Sequence, residues 1–227
     1  MSSQVKQLET YIDHTFLKPD ATAKQIDKLC AEAREHGFFS VCVNGVWVPY
    51  CAKALDGSSV KIAAVVGFPL GAGSARAKAF EAEDAVKLGA DEIDMVAGIG
   101  LLLDGRYDEA RSDIREVVEA VQGGAIVKVI LETGFLADEQ KRIACLLAEE
   151  AGANFVKTST GFGPGGATVE DVRLMRATVS KETGVKASGG IRDRDTAVRM
   201  IEAGANRLGT SSGVVIVTGQ AGSSGAY

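Results

Sequence analysis

Histidine, cysteine, proline and tryptophan are all scarce in this chain of 227 residues, which holds two, four, four and one of them. With only His14 and His36 to offer, a zinc centre rich in imidazole is out of reach, and no spacing suggests a carboxylate site for magnesium. The cysteines, Cys30, Cys42, Cys51 and Cys145, form no CxxC pair, and three of them lie in hydrophobic periodic segments. They read as reduced thiols of a cytosolic protein rather than as a disulfide framework. There is no excess of basic charge: 25 Lys and Arg stand against 30 Asp and Glu, for a net charge of −5. That argues against a nucleic-acid partner, which needs a basic surface, but leaves room for a small anion held locally. No apolar run approaches the ~18 residues needed to cross a bilayer. The opening "MSSQVKQLETYIDHTF" lacks the basic-then-apolar layout of a signal peptide. The expectation is a cytoplasmic protein with no membrane partner.

Glycine is abundant, 27 residues in all, and its placement is periodic. "LGADEIDMV" at 88–96, "AGANFVKTS" at 151–159 and "AGANRLGTS" at 203–211 repeat one pattern, with a weaker copy, "HGFFSVCVN", at 36–44. Aligned on Gly37, Gly89, Gly152 and Gly204, the copies lie 52, 63 and 52 residues apart, a period of stacked units rather than of separate domains. In physical terms an amphipathic helix ends, glycine supplies a left-handed cap, and a buried parallel strand begins. "ARAKAFEAEDAVKLG" and "DEQKRIACLLAEEAG" carry apolar residues at helical spacing just before such a glycine. Four further strands fall between, at 11–16, 61–69, 126–134 and 185–190. Eight strands alternating with helices predict an α/β chain whose parallel sheet closes into a single (β/α)8 TIM barrel, with the active site at the C-terminal strand ends. An open, doubly wound sheet is the alternative. Residues 1–218 are expected to form this one domain, with an extra helical segment at the N-terminus, and residues 219–227 a tail that is flexible by composition.

In a closed barrel the outward strand residues pack on helices and are apolar, so inward positions are free to carry chemistry. Ile93 and Met95 then face out, with Glu92 and Asp94 in; Val127, Val129 and Leu131 face out, with Lys128 and Glu132 in. By the same alternation Val156, Val185 and Ala187 face out, with Lys157, Lys186 and Ser188 in. Five residues beyond each repeat glycine stand Cys42, Asp94, Lys157 and Gly209, on alternate strands. Inward residues of alternate strands share a layer, so Asp94 and Lys157 are expected together, with Lys128 and Lys186 in neighbouring layers.

Crowding three lysines into one interior is costly unless they are paired or neutral. Burial and a nearby like charge both lower a lysine's pKa toward the neutral, nucleophilic form that Schiff-base chemistry uses, and Asp94 is placed to pair with an ammonium and relay protons. The alternative is a buried ion network serving architecture alone. The loops after the sixth, seventh and eighth strands, "TSTGFGPGG", "ASGGIRD" and "LGTSSGV", let backbone N–H groups and the hydroxyls of Ser211 and Ser212 approach a phosphate, though tight turns and helix caps use the same residues. A phosphosugar isomerase using His14 and a carboxylate would leave Lys157 and Lys186 unexplained. A phosphate-sensing barrel would not need both Lys157 and Asp94.

Taken together, "IDHTFLKPD", "GFPLG", "DEIDMV", "VKVILETG", "FVKTSTGF", "KASGGIRD" and "LGTSS" resemble the deoxyribose-phosphate aldolases from Ile12 to about Ser212. The resemblance implies a class I aldolase that reversibly cleaves 2-deoxy-D-ribose 5-phosphate into D-glyceraldehyde 3-phosphate and acetaldehyde, with no metal or organic cofactor. It implies that Lys157 forms the Schiff base, that Lys186 depresses the pKa of Lys157 and shuttles protons, and that Asp94 is the proton-relay carboxylate. Gly189, Gly190, Ser211 and Ser212 would hold the phosphate, with Thr160 and Gly161 nearby. Lys128 would support Asp94, and Asp13 and Thr15 would lie near Lys186. Tyr227 could fold toward the phosphate as a mobile tip, and a homodimer is the guess for assembly. The sequence departs from the family pattern at Gly45-Val46, where proline and a bulky residue are expected, and at Ala97-Gly98, where asparagine is common.

Overall fold

Each repeat glycine turns the chain out of a helix through the left-handed region, at φ 66° for Gly37, 113° for Gly89, 91° for Gly152 and 114° for Gly204. Glycine reaches those angles without a Cβ clash, so the helix stops and the chain can turn back into the sheet. A computed structural model describes residues 7–219. Its strands are β1 (Ile12–Thr15), β2 (Ser40–Asn44), β3 (Lys61–Val66), β4 (Glu92–Val96), β5 (Ile126–Ile130), β6 (Phe155–Lys157), β7 (Gly184–Ser188) and β8 (Arg207–Thr210). Each pairs in parallel with its neighbours, and β8 closes on β1 through Asp13↔Gly209. The sheet is therefore the closed barrel expected, and the open alternative is excluded.

The helices α1 (Ala23–His36), α2 (Val48–Ala54), α3 (Ala75–Lys87), α4 (Ile99–Leu103), α5 (Tyr107–Ala120), α6 (Asp138–Glu150), α7 (Val169–Thr178), α8 (Arg194–Glu202) and α9 (Gly213–Thr218) fill the connections. Their starts carry side-chain caps: Ser74 accepts from Ala77 N–H, Thr168 from Asp171 N–H and Asp193 from Thr196 N–H. Such caps satisfy N–H groups that have no partner within the helix. The N-terminal helical segment is, among the described residues, a single 3-10 turn, Leu8–Tyr11. Tyr227 and the tail beyond Gly219 lie outside the described residues.

Two apolar bodies result from the alternation along the strands. The larger one lies between sheet and helices and includes Ile93, Met95, Val127, Val129, Leu131, Val156, Val185 and Ala187, all read as outward from the sequence. Burying each of these side chains larger than alanine is worth about 2 kcal/mol. The smaller one is inside the barrel and holds only Leu17, Cys42, Ala63 and Val65, with Phe68 against it. The interior is thus apolar beside β2 and β3 and is left to charged residues elsewhere.

β6 is only three residues long. It covers Phe155–Lys157; Thr158 still donates to the Lys186 carbonyl and accepts from Thr133 N–H, and the N–H of Thr160 turns instead to the carboxylate of Glu132. At the other side of the mouth, Gly71 has φ 65°, and a Cβ there would lie 2.1 Å from the carbonyl oxygen of Ala97. The loop after β3 can rest on the end of β4 only without that atom. Gly71→Ala is expected to lower the free energy of unfolding by at least about 2 kcal/mol in a urea titration, with the slope unchanged. An equal midpoint would show that the loop moves aside freely.

Candidate active site

Seven charged side chains meet inside the barrel: Asp13 from β1, Glu92 and Asp94 from β4, Lys128 from β5, Lys157 from β6, Lys186 from β7 and Arg207 from β8, none more than 4% exposed. Asp94 is their centre. Its Oδ1 accepts from Lys128 Nζ at 2.7 Å, and its Oδ2 accepts from Lys157 Nζ at 2.8 Å and Lys186 Nζ at 2.7 Å. Lys186 also lies 2.5 Å from Asp13 Oδ2, and Lys128 donates to Glu92 at 2.6 Å. Arg207 donates to Asp13 Oδ1 at 2.8 Å and to Glu92 Oε2 at 2.5 Å. Its guanidinium lies 3.4 Å over the ring of Phe39.

The two amines on Asp94 Oδ2 are not equivalent. Burial pushes Lys157 below the ordinary 10.5 and the Lys186 ammonium adds to the effect, while Asp94 opposes it. Burial works against the charge of Lys186 as well, but Asp13 and Asp94 outweigh it and hold that amine above its usual value. The difference has one cause: Lys186 touches two carboxylates, whereas Lys157 touches Asp94 alone among the described residues. Burial also disfavours the charge of Asp94, yet Lys128, Lys157 and Lys186 together keep its carboxyl well below 3.8. The arrangement sets a lysine inclined to lose its proton beside one that keeps it.

Around this centre the residues singled out from the sequence divide. Thr15 sits on β1 with Asp13, and its hydroxyl donates to the Asp13 carbonyl at 2.8 Å. The hydroxyl and N–H of Thr160 both donate to Glu132, which sits at φ 54°. Gly189 and Gly190 have φ of 86° and 79°, and Ala167 N–H donates to the Gly189 carbonyl at 3.0 Å. A Cβ on Gly189 would lie 3.1 Å from the Cα of Gly166 and, in ordinary contact, 3.6 Å from that of Gly161. Thr210 ties the seventh and eighth loops by donating to the Ile191 carbonyl at 2.7 Å and accepting from Ser212 N–H at 2.9 Å. Ser211 and Ser212 follow directly, before α9. Gly45-Val46 and Ala97-Gly98 stand just past the ends of β2 and β4. Phe68 and Phe162 meet edge to face at 5.4 Å, from the loops after β3 and β6.

His14 is elsewhere. Its neighbours on β1 face in, so it faces out, with Nε2 2.7 Å from Glu32 Oε2 on α1 and its ring 5.0 Å from Phe38. The isomerase alternative would need His14 inside the barrel, and it is not there. A cavity of about 690 Å3 between the loop after β3 and α4–α5 is lined by Ser74, Gly98 and Asp113 among others, and by none of the interior lysines.

Sequence reasoning placed Glu92 inward without using it and missed Arg207. The signal was present. Three residues beyond the repeat glycines, instead of five, stand Ser40, Glu92, Phe155 and Arg207. This is the layer beneath Asp94 and Lys157: Ser40 donates to Asp13 at 2.7 Å, and the Arg207 guanidinium lies 5.9 Å from the Phe155 ring. The hydroxyls of Ser159 and Ser188 are buried with no hydrogen-bond partner among the described residues; the sequence turned Ser188 inward without giving it a role and did not single out Ser159. Such groups retain hydrogen-bonding capacity for a bound molecule.

Fold and interior together define a (β/α)8 aldolase barrel. The chain belongs to the DeoC/LacD family of aldolases, whose model matches residues 8–219. It is 59% identical over 212 residues to the deoxyribose-phosphate aldolase of Brevibacillus brevis, covering 93% of this chain and 96% of the relative. It is 60% identical over 213 residues to that of Bdellovibrio bacteriovorus, covering 94% and 96%. Among solved structures, the deoxyribose phosphate aldolase from Aeropyrum pernix, described as a tetramer, superposes with a TM-score of 0.87 at 34% identity, covering 92% of this chain and 89% of that one.

The charges also set a dependence of stability on pH. Asp13 and Asp94 bind protons less readily folded than unfolded, so their contribution is complete at neutral pH and is lost as pH falls through about 4 toward their folded values. Lys186, raised above 10.5, contributes below that value and loses its contribution as pH rises through its folded value. Asp94→Asn is expected to lower stability by about 3–5 kcal/mol at pH 7, because it strands buried ammonium groups. Urea titrations should show the gap from the parent narrowing below pH 4. A gap as wide at pH 3 as at pH 7 would mean that the loss does not come from the charge of Asp94.

Proposed function

We propose that this protein is a class I aldolase that reversibly cleaves 2-deoxy-D-ribose 5-phosphate to D-glyceraldehyde 3-phosphate and acetaldehyde. Lys157 is the nucleophile. The observation that carries the assignment is the contrast across one carboxylate oxygen: Lys157 and Lys186 both reach Asp94 Oδ2, yet only Lys157 is pushed toward its neutral form. A neutral amine is what attack on a carbonyl requires.

The steps follow from that contrast. The Lys157 amine adds to the aldehyde carbon of the open-chain sugar, and loss of water gives a protonated imine. The bond between the second and third carbons then breaks: its electron pair flows into the imine to form an enamine, and the hydroxyl on the third carbon gives up its proton as it becomes the aldehyde of the departing triose phosphate. Asp94 and the Lys186 ammonium, in contact at 2.7 Å, relay that proton and return one to the enamine carbon. Water hydrolyses the resulting imine, releasing acetaldehyde and restoring the Lys157 amine. Lys128 holds Asp94 from the other oxygen, and Asp13 keeps Lys186 charged.

Gly189, Gly190, Ser211 and Ser212 bind the phosphate, with Thr160 and Gly161 beside them. Their support is the stitching of the sixth, seventh and eighth loops into one surface above Lys186 and Gly209, the usual phosphate position in this architecture. Thr15 is assigned to the substrate side of Asp13. The four cysteines are all buried and free, which fits a cytosolic setting. Two copies are proposed to pair through outer helices around α3, where Phe80 stands 71% exposed beside the loop after β3, whose Leu70 is 73% exposed. Sedimentation velocity reading only the mass of one chain would remove the pairing.

Incubation with deoxyribose 5-phosphate or acetaldehyde, followed by borohydride reduction, is expected to leave a reduced adduct on Lys157 that mass spectrometry maps and that Lys157→Ala abolishes. No adduct on any lysine of the folded protein would sink the mechanism.

A further inference from the structure

The interior ion pairs trace a closed circuit. Lys186 meets Asp13 at 2.5 Å, Asp13 meets Arg207 at 2.8 Å, and Arg207 meets Glu92 at 2.5 Å. Glu92 meets Lys128 at 2.6 Å, Lys128 meets Asp94 at 2.7 Å, and Asp94 returns to Lys186 at 2.7 Å. The signs alternate all the way round, three cations with three carboxylates, so the circuit sums to zero. Lys157 is attached to it at one point only, Asp94 Oδ2, at 2.8 Å. It is the seventh charge, and the circuit is complete without it.

We propose that Arg207 is a positioning residue for the amine chemistry: it completes the circuit beneath Asp94, makes Lys157 the surplus cation, and so favours the neutral amine that attacks the carbonyl. This rests on the aldolase assignment above. Arg207 itself is bonded to Asp13 and Glu92 and packed on Phe39, and it acts through those carboxylates. The groups facing Lys157 are Asp94 from β4, Lys186 from β7 and Cys42 from β2, with Lys128 from β5 on the same carboxylate. Those facing Arg207 are Asp13 from β1 and Glu92 from β4. If Arg207 becomes neutral, three carboxylates face Lys128 and Lys186 alone, and a protonated Lys157 restores the balance. In a poorly solvated interior such an imbalance is costly, so the amine would hold its proton to higher pH. The downward displacement of Lys157 in the intact circuit is of the matching sign.

The test is the pH at which trapping of acetaldehyde on Lys157, by reduction and mass spectrometry, reaches half its maximum. For Arg207→Leu that pH should rise by about one unit or more relative to the parent. Arg207→Lys keeps the charge and should stay near the parent. Glu92→Gln removes a carboxylate and should move the midpoint the other way. The double variant, Glu92→Gln with Arg207→Leu, has two cations and two carboxylates left in the circuit and should return toward the parent, although two buried substitutions would damage a purely structural plug more than one. Midpoints that do not move, or that move in the same direction for Arg207→Leu and Glu92→Gln, overturn the proposal. If Arg207→Leu does not fold, Glu92→Gln carries the test alone, and an unchanged or raised midpoint overturns it. Trapping with an unmoved midpoint defeats only the role of Arg207, whereas no trapping on the parent at any pH defeats the aldolase mechanism and this inference with it.

Discussion

One carboxylate shared by three ammonium groups is the constraint on which the rest depends. Asp94 has two oxygens and meets Lys128, Lys157 and Lys186 within 2.8 Å. Water could solvate these charges cheaply; the barrel interior cannot, and each must find its counter-charge among the others. The three carboxylates and four cations cannot all be matched, and the shortfall falls on Lys157, the only one of these cations with a single carboxylate in contact. The reactivity proposed for Lys157 is the local form of this global mismatch.

The closed barrel is what makes such a network possible. Its members are spread from Asp13 to Arg207, and short inward-facing strands bring them within hydrogen-bond distance. The outward faces of the same strands bury the aliphatic side chains that supply most of the folding free energy. The division of labour is strict: on β5, Val127 and Val129 hold the helices while Lys128, between them, holds Asp94. The apolar corner formed by Cys42, Ala63 and Val65 confines the charges to the remaining strands.

The mouth follows a different rule. There backbone conformation matters more than charge: Gly189 and Gly190 take positive φ, Gly166 closes on Gly189, and Thr210 joins two loops through its hydroxyl. Glu132, also left-handed, spends its carboxylate on Thr160 and so fixes the turn that follows Lys157. Lys157, at the end of a three-residue strand and followed by Thr158-Ser159-Thr160 and then a glycine-rich loop, therefore keeps its amine buried on Asp94 directly beneath that mouth.

The sequence by itself determined the barrel and most of its interior. The repeat glycines mark where helices stop, and strict alternation in β4, β5, β6 and β7 sorts Asp94, Lys128, Lys157 and Lys186 inward, because a strand has only two faces. Counting five past each glycine found the layer of Asp94 and Lys157; counting three would have found Ser40, Glu92, Phe155 and Arg207. What alternation cannot supply is partnership. It puts Asp13 and Thr15 on the same face but does not reveal that one bonds Lys186 while the hydroxyl of the other turns back to its own strand. It gives no hint that the N–H of Thr160 turns to Glu132, a carboxylate 28 residues earlier in the chain. Only the tertiary structure decided which lysine has two carboxylates and which has one, because counter-charge is a property of three-dimensional neighbours and not of strand order.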